Sequence, residues 1–262
     1  MKLPYSKLHG AKNDFLLTRL EDTTGISDLP AVAVAICDRY TGVGADGWML
    51  IDMTPGEGYD ASIRLFNSDG SEPELSGNGT RCAAVLVARE RPALSVIRIR
   101  TGAGIKSLEV KQHAGLEYLF EMDMGVVRVV EAQATVQGRD AVLINPGNPQ
   151  CAFPVDDFEF DWRAVGKATE FDPRFPNRTN VSFVKRIDGK TIDVRFWERG
   201  AGETMSSGTG STGAATAALV RGLVSSPVEV MTPAGSLTVR LENEHAMLTG
   251  PAVLVSEGYF FF

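Results

Sequence analysis

The chain has 262 residues, of which 44% are hydrophobic and 23% charged, proportions typical of a folded globular protein rather than a disordered one. Its net charge is −7 and its 26 basic residues form no dense cluster, so we expect no nucleic-acid partner. No apolar run approaches the roughly 20 residues of a membrane helix, and the start of the sequence shows no secretion signal. We therefore expect a cytoplasmic protein with no membrane partner.

Metal and disulfide chemistry are not indicated by the cysteines and histidines. They show neither Cys-x-x-Cys nor His-x-x-x-His spacing and are scattered along the chain, as Cys37, Cys82, Cys151, His9, His113 and His245. No Gly-x-Gly-x-x-Gly or Gly-Lys-Ser/Thr phosphate loop is present either. We expect no metal and no cofactor.

In chain order, the pattern predicts a helix near 28–40 capped by Ser27 or Asp28, an apolar helix after residue 76, a helix near 161–168 and another after residue 207. The segment 169–180 reads as a loop because it is polar and carries two prolines. Alternating or β-branched runs predict strands at 60–66, 95–101, 105–111, 116–122, 181–185, 191–197, 227–232, 236–241 and 246–255.

An internal repeat organises these elements. SGNGTRCAAVLVARE starts at Ser76 and SGTGSTGAATAALVRG starts at Ser207, 131 residues later, which is half the chain length. Each segment runs from Ser-Gly-x-Gly into an apolar helix, and such helices are typical of a buried position inside a sheet. The repeat predicts an α/β fold (α+β) of two pseudo-symmetric domains, each a curved mixed sheet or barrel around a central helix. The two helix N-termini are expected to face one interdomain cleft that holds the active site.

The Ser-Gly-x-Gly segments have two readings. Serine is a preferred helix N-cap, so Ser76 and Ser207 can be purely structural. A helix N-terminus also offers unpaired N–H groups and a partial positive charge, which favour a carboxylate or an activated nucleophile.

Polar residues outside these segments add to a possible amino-acid site. Five asparagines are predicted to lie in loops beside Gly, Asp or Pro, where amides can bind both a carboxylate and an ammonium group: Asn13, Asn67, Asn78, Asn148 and Asn180. Asp46 is interpreted as a loop carboxylate with a structural hydrogen bond, and Cys82 as a buried helix residue.

Six motifs resemble those of the diaminopimelate epimerases in the same order: KLHGAKNDF, CDRYTGVGADG, FNSDGSEPELSGNGTRC, GNPQC, ERGAGET and SGTGS. The resemblance covers almost the whole chain. It implies an isomerase free of pyridoxal phosphate and metal, interconverting LL- and meso-diaminopimelate in lysine and peptidoglycan precursor synthesis. It also suggests a homodimer, with an N-terminal domain of residues 1–122 to which 256–262 return and a C-terminal domain of 123–255.

The resemblance assigns binding roles to individual residues. Asn13, Asn67, Asn148 and Asn180 match substrate-holding asparagines. Glu198 and Arg199 match a pair that holds the distal end of the substrate or tunes the second base. The helix N-termini that bind the reacting carboxylate match Gly77, Asn78, Gly208 and Thr209.

Three catalytic positions differ from the family. Both bases are cysteines in the family, and here they are Ser76 and Ser207; the histidine that partners the first base is here Gln150. A serine has no route to an anion without a strong adjacent base, glutamine accepts no proton, and only Glu198 remains as an acid–base group.

Three interpretations stay open. They are an epimerase with altered bases, an isomerase or dehydratase of the same fold with Glu198 as its lone base, and a non-catalytic amino-acid binder. Deliberate replacement of both cysteines explains the serines but not Gln150, so the three differences together favour natural divergence.

Overall fold

The computed structural model describes residues 2–73 and 75–262. Their contacts divide them into two compact units: unit 1 takes in the described residues of 1–122 together with 250–262, and unit 2 takes in 123–249. The chain re-enters unit 1 at residue 250, six residues before the position expected from the sequence. The last strand already pairs with the first strand from Val253 onwards.

Unit 1 is built from eight strands, the last of which begins in unit 2. They are β1 (Lys2–Gly10), β2 (Asn13–Arg19), β3 (Gly47–Asp52), β4 (Ala61–Asn67), β5 (Val96–Thr101), β6 (Gly104–Ala114), β7 (Glu117–Val126) and β16 (His245–Phe261). They are ordered β1-β2-β3-β4-β5-β6-β7-β16, and β16 pairs with β1, which closes the sheet into a barrel.

Two α-helices belong to unit 1. Helix α1 (Leu29–Cys37) begins after Asp28, whose carboxylate accepts a hydrogen bond from the Ala31 N–H at 3.0 Å, as the sequence predicted. Helix α2 (Gly77–Glu90) is buried from Asn78 to Ala88. It packs against β1, β2, β4, β5 and β6 and fills the centre of the barrel, which explains why its residues from Cys82 to Ala88 are all apolar.

Unit 2 is built from nine strands: β8 (Arg128–Val136), β9 (Arg139–Asn145), β10 (Gln150–Val155), β11 (Asn180–Arg186), β12 (Thr191–Glu198), β13 (Gly202–Thr204), β14 (Val228–Thr232), β15 (Gly235–Glu242) and the start of β16. The sheet order is β8-β9-β10-β11-β12-β14-β15-β16, and the short β13 pairs only with β12.

The helices of unit 2 repeat the arrangement of unit 1. Helix α3 (Trp162–Glu170) begins after Asp161 and packs on the outer face of the sheet with Phe153 and Phe183. Helix α4 (Gly208–Val220) is the buried helix and packs against strands β8 to β12, β14 and β15.

The two units share a strand pattern. In unit 1 the pairs β2/β3, β3/β4 and β4/β5 are parallel, antiparallel and parallel, with α1 and α2 as the crossovers. In unit 2 the pairs β10/β11, β11/β12 and β12/β14 follow the same sequence, with α3 and α4 as the crossovers. The expected α/β architecture of two units, each a mixed sheet or barrel around a central helix, is therefore confirmed.

The sequence prediction missed seven strands and made one loop too long. Strands β1, β2, β3, β8, β9 and β10 were not predicted because their burial does not follow a clean two-residue alternation; β3, for instance, is buried at five consecutive positions. Strand β13 has only three residues, too few to show a pattern. The predicted loop 169–180 begins two residues early, since α3 continues through Glu170, and it includes Asn180, which begins β11. No helix in the described residues combines the length and apolar character needed to cross a bilayer.

Candidate functional site

The N-terminus of α2 is capped by Ser76. Its Oγ accepts a hydrogen bond from the Gly79 N–H at 3.1 Å, and its carbonyl oxygen accepts the first helical bond from the Thr80 N–H at 2.8 Å. The N–H groups of Gly77 and Asn78 precede the first helical donor, the Thr80 N–H, and have no partner within the helix. With the helix dipole, they form a local anion-binding arrangement.

A chain of hydrogen bonds fixes the amides beside this helix end. Asn78 Nδ2 donates to Asn13 Oδ1 at 3.1 Å, and Asn13 Nδ2 donates to Asp46 Oδ2 at 2.6 Å. Arg81 Nη2 donates to Asn78 Oδ1. Because arginine only donates and a carboxylate only accepts, both amide orientations are determined, and each amide keeps one N–H for a ligand.

Arg81 places a positive charge under the α2 N-terminus. Its side chain is fully buried, its Nε donates to the Pro251 carbonyl at 3.3 Å, and burial lowers the pKa of its guanidinium to about 10. Its Nη1 has no hydrogen-bond partner among the described residues. The charge reinforces the preference of this helix end for an anion.

Asn67 ends β4 and pairs with Gly47, the first residue of β3, which directly follows Asp46. Its Nδ2 donates to Ser71 Oγ at 2.9 Å, within the turn that leads towards α2. A small cavity of about 90 Å³ lies beside Ser76, lined by Ile63, Arg64, Leu65, Glu72, Pro73, Leu75, Ser76, Thr101 and Gly102.

The N-terminus of α4 repeats the cap geometry. Ser207 Oγ accepts a hydrogen bond from the Gly210 N–H at 3.1 Å, and the Ser207 carbonyl accepts one from the Ser211 N–H at 2.9 Å. Unlike Ser76, Ser207 also contacts a carboxylate: its Oγ donates to Glu198 Oε2 at 3.1 Å. In the described residues, no side chain hydrogen-bonds to the Ser76 hydroxyl. The two helix ends therefore differ, because only the Ser207 hydroxyl has a carboxylate beside it in this part of the chain.

Glu198 is held on both carboxylate oxygens. Thr204 Oγ1 donates to Oε1 at 2.6 Å, while Ser207 donates to Oε2. Burial raises the pKa of the Glu198 carboxyl above its ordinary value, and the two hydrogen bonds oppose that rise. A partly buried carboxylate that contacts a hydroxyl is suited to accept a proton from it.

A second group of amides lies at the α4 N-terminus. Gln150 Nε2 donates to Asn148 Oδ1 at 2.7 Å, and both side chains reach Thr209 Oγ1, each at 3.4 Å. Thr209 accepts these contacts, which leaves its hydroxyl proton for another acceptor. Gln150 is 2% exposed, and its Oε1 has no partner in the described part of the chain.

Asn180 and Arg199 contact each other through the backbone. Asn180 Oδ1 accepts a hydrogen bond from the Arg199 N–H at 3.0 Å, and Asn180 Nδ2 donates to the Pro149 carbonyl at 3.1 Å. Arg199 Nη1 donates to the Asn177 carbonyl at 3.0 Å. Asn180 therefore joins the Asn148–Gln150 strand end to the bend that carries Glu198.

The sequence-derived residues fall into two groups, one in each unit. Unit 1 holds Ser76, Gly77, Asn78, Asn13 and Asn67, and unit 2 holds Ser207, Gly208, Thr209, Glu198, Arg199, Asn148, Gln150 and Asn180. The prediction that the asparagines lie in loops was wrong for four of the five. Asn78 lies inside α2, Asn13 and Asn180 begin strands, and Asn67 ends one, because element ends leave the backbone groups that asparagine satisfies.

Sequence reasoning missed Arg81 and Thr204 and gave Asp46 a role without a partner. Thr204 lies six residues after its partner Glu198, and Arg81 lies three residues after its partner Asn78. A search for polar residues near the motifs would have found both. In the described residues, no group of three or more His, Cys, Asp and Glu side chains could hold a metal ion.

Comparison with known proteins agrees with this architecture. A family model described as diaminopimelate epimerase matches residues 5–130 and 142–255. The diaminopimelate epimerase of Pelotomaculum thermopropionicum is 35% identical over 276 residues, covering 98% of this chain and 98% of the relative. That of Archaeoglobus fulgidus is 37% identical over 276 residues, covering 98% and 96%.

Solved structures show the same fold at lower identity. A phenazine biosynthesis protein of the PhzF family from Bacillus anthracis superposes with a TM-score of 0.72 at 16% identity, covering 100% of both chains. A hydroxyproline epimerase from Agrobacterium vitis gives a TM-score of 0.70 at 14% identity, covering 98% of this chain and 92% of that one. The family match and the relatives above 30% identity establish that this chain belongs to the diaminopimelate epimerase family.

Proposed function

We propose that the protein is an isomerase of the diaminopimelate epimerase type, interconverting LL- and meso-diaminopimelate without pyridoxal phosphate or metal. One observation carries the proposal: each unit of a chain from this family has a serine-capped buried helix with the same cap bond, at 3.1 Å. Inversion at an α-carbon needs an acid and a base on opposite faces, and the repeat supplies one hydroxyl group from each unit.

As the family resemblance implies, we assign binding of the reacting carboxylate to the N–H groups at the helix N-terminus of each unit, those of Gly77 and Asn78 and those of Gly208 and Thr209. Neutralising that carboxylate makes the α-proton more acidic, since the charge developing on removal of the proton is stabilised in place. The donors left on Asn13, Asn78 and the Thr209 hydroxyl add to this. Asn67, Asn148, Asn180 and Arg199 are assigned to orientation of the substrate and its distal end.

In the proposed proton transfer, Ser207 Oγ takes the α-proton while its own proton passes to Glu198 Oε2. Ser76 then passes its hydroxyl proton to the other face of the α-carbon as it takes a proton from water, so that it stays neutral, and the hydroxide left by that water takes the proton from Glu198. Gln150 orients Asn148 and Thr209 and carries no proton itself. This route depends on the Ser207–Glu198 contact at 3.1 Å, which gives serine the adjacent base it needs.

A second candidate function has an observation of its own. Among the described residues, Ser207 contacts a carboxylate and Ser76 does not, which favours single-base chemistry with Glu198, as in an isomerisation or dehydration. In that case Glu198→Gln abolishes turnover, whereas Ser76→Ala leaves it unchanged.

The deciding experiment incubates the protein with LL-diaminopimelate in D2O and follows the α-proton signal by NMR. Loss of the signal with formation of the meso isomer supports the two-base proposal. Exchange without inversion supports the single-base alternative, and a persistent signal with calorimetric binding supports an amino-acid binder. The triple variant Ser76→Cys, Gln150→His, Ser207→Cys is expected to raise the epimerisation rate, since helix N-termini lower the pKa of a thiol far more effectively than that of an alcohol.

The family also suggests a cytoplasmic homodimer, which we propose as the functional form. Sedimentation equilibrium of the full chain tests it: a mass of one chain at micromolar concentration would count against the dimer.

A further inference from the structure

Glu170 is a buried carboxylate with no part in the proposed proton transfer. It is the last residue of α3 and is 3% exposed. Its Oε2 accepts a hydrogen bond from Trp197 Nε1 at 2.8 Å, and its Oε1 accepts one from the Gly200 N–H at 2.9 Å. Arg178 Nη1 lies 3.5 Å from Oε1 and is the nearest cation. A carboxylate this buried requires such donors, so both bonds are structurally significant.

The two donors flank Glu198 and Arg199. Trp197 directly precedes this pair in β12, and Gly200 directly follows it in the bend to β13. Gly200 has a φ of +79°, a conformation that side-chain-bearing residues rarely adopt. Glu170 therefore fixes the bend on both sides of the residue that contacts Ser207.

The packing between α3 and β12 leaves little freedom for this arrangement. A Cβ placed on Gly166 of α3 would lie 2.8 Å from Trp197 Cβ, so the helix and the strand are in close contact. The indole of Trp197 is thus held by packing at one end and by Glu170 at the other. The end of β12 cannot shift without breaking one of these contacts.

The position of the bend controls the Glu198–Ser207 contact. A hydrogen bond of 3.1 Å between Oε2 and Oγ is lost if the carboxylate moves by about 1 Å, and proton transfer requires that contact. Within the bend, the backbone of Arg199 has an additional tie to Asn180 at 3.0 Å. The hydrogen bond from the Gly200 N–H to Glu170 is separate from the Arg199–Asn180 bond, and Glu170 lies in α3.

We propose that Glu170 is a positioning residue for the Glu198–Ser207 pair, acting by binding Trp197 and Gly200 on the two sides of Glu198. The catalytic consequence rests on the proposed function; the effect on the bend does not. Glu170→Gln in the full chain is the direct test. The glutamine amide presents a donor to one of the two N–H groups, so one hydrogen bond is replaced by a repulsive contact.

The first readout is hydrogen exchange of the peptide spanning residues 197–204, measured by mass spectrometry. Glu170→Gln is expected to accelerate exchange at the Gly200 amide at least tenfold. Glu203→Gln is the matched control. It removes a carboxylate of the same hairpin that also binds α3, through Arg163 at 2.6 and 2.8 Å, but at the surface. We expect it to leave exchange near the wild-type rate.

The second readout is α-proton exchange of diaminopimelate as a function of pH. In Glu170→Gln we expect kcat to fall at least tenfold and the acid limb of the kcat profile to move to lower pH, because a loosened bend admits water to Glu198 and relieves its burial. A merely structural role lowers kcat only with the folded fraction and leaves the limb in place.

The outcomes separate the two proposals. An inactive wild-type enzyme contradicts the proposed function, while amide exchange still tests the bend. If the Gly200 amide of Glu170→Gln exchanges at the wild-type rate, the positioning proposal is overturned. It is also overturned if amide exchange accelerates while kcat and the acid limb of its pH profile stay unchanged. If Glu170→Gln does not fold, Trp197→Phe decides by the same readouts, because it keeps a ring and removes only one donor.

Discussion

The two cap serines have the same local geometry but different surroundings, and paired substitutions separate the two effects. Ser76→Ala removes one N-cap bond, worth about 1 kcal/mol. Ser207→Ala removes an equivalent cap and also the donor to the partly buried Glu198, and a hydrogen bond to a charged acceptor is worth about 1.5–3 kcal/mol. We therefore expect losses of about 1 kcal/mol for Ser76→Ala and about 3 kcal/mol for Ser207→Ala.

Thermal unfolding followed by circular dichroism gives the comparison directly. For a chain of this size 1 kcal/mol corresponds to about 2–4 °C in Tm, so the variants are expected to fall by about 3 °C and about 9 °C at pH 8. The difference between them depends on the Glu198 anion. Because burial raises the pKa of Glu198, the excess loss in Ser207→Ala is full above that pKa and disappears as the pH falls below it.

Equal losses at pH 8 would refute the reasoning, since they would mean that the Ser207–Glu198 bond adds nothing beyond the cap. An excess loss that persists unchanged at pH 4 would also contradict it, because the carboxyl is then protonated in the folded chain. Glu198→Gln serves as a further control. When Ser207→Ala is added to Glu198→Gln, the further loss of stability should be little more than that of the helix cap.

Three further predictions follow from packing and titration. Gly210→Ala is expected to cost about 1–3 kcal/mol, because its Cβ would lie 2.9 Å from Phe196 ring atoms; Gly189→Ala, with no neighbour within 4 Å, should change the Tm by less than about 2 °C. Folded Glu198 binds its proton more tightly than the unfolded chain does, so wild type loses stability as the pH rises from the ordinary glutamate range to the raised pKa. Glu198→Gln should lack this loss, and parallel Tm–pH curves for the two proteins would contradict the burial argument. Burial raises the pKa of the free thiols of Cys37, Cys82 and Cys151 to about 12. A disulfide reagent at pH 8 should therefore modify none of the three until the chain unfolds. Rapid labelling of any of them in the native protein would contradict this prediction.

The features that could be read from sequence are those encoded within a few residues. A serine that caps a helix contacts the N–H three residues later, so Ser76 with Gly79 and Ser207 with Gly210 are visible as patterns. The cap of α1 was predicted in the same way as Ser27 or Asp28, and the structure shows that it is Asp28. Strands buried on both faces lack alternation, and for that reason β3 was missed although its residues are strongly apolar.

The repeat, the two buried helices, their serine caps and the family resemblance could all be recognised from the amino-acid sequence, because each depends on residue type and short spacing. Which polar groups meet became known only from the folded chain. Asn78 contacts Asn13 across 65 positions of sequence, and Glu170 reaches Trp197 across 27. Such contacts depend on strand register and helix packing, which bring distant positions together, and no local pattern encodes them.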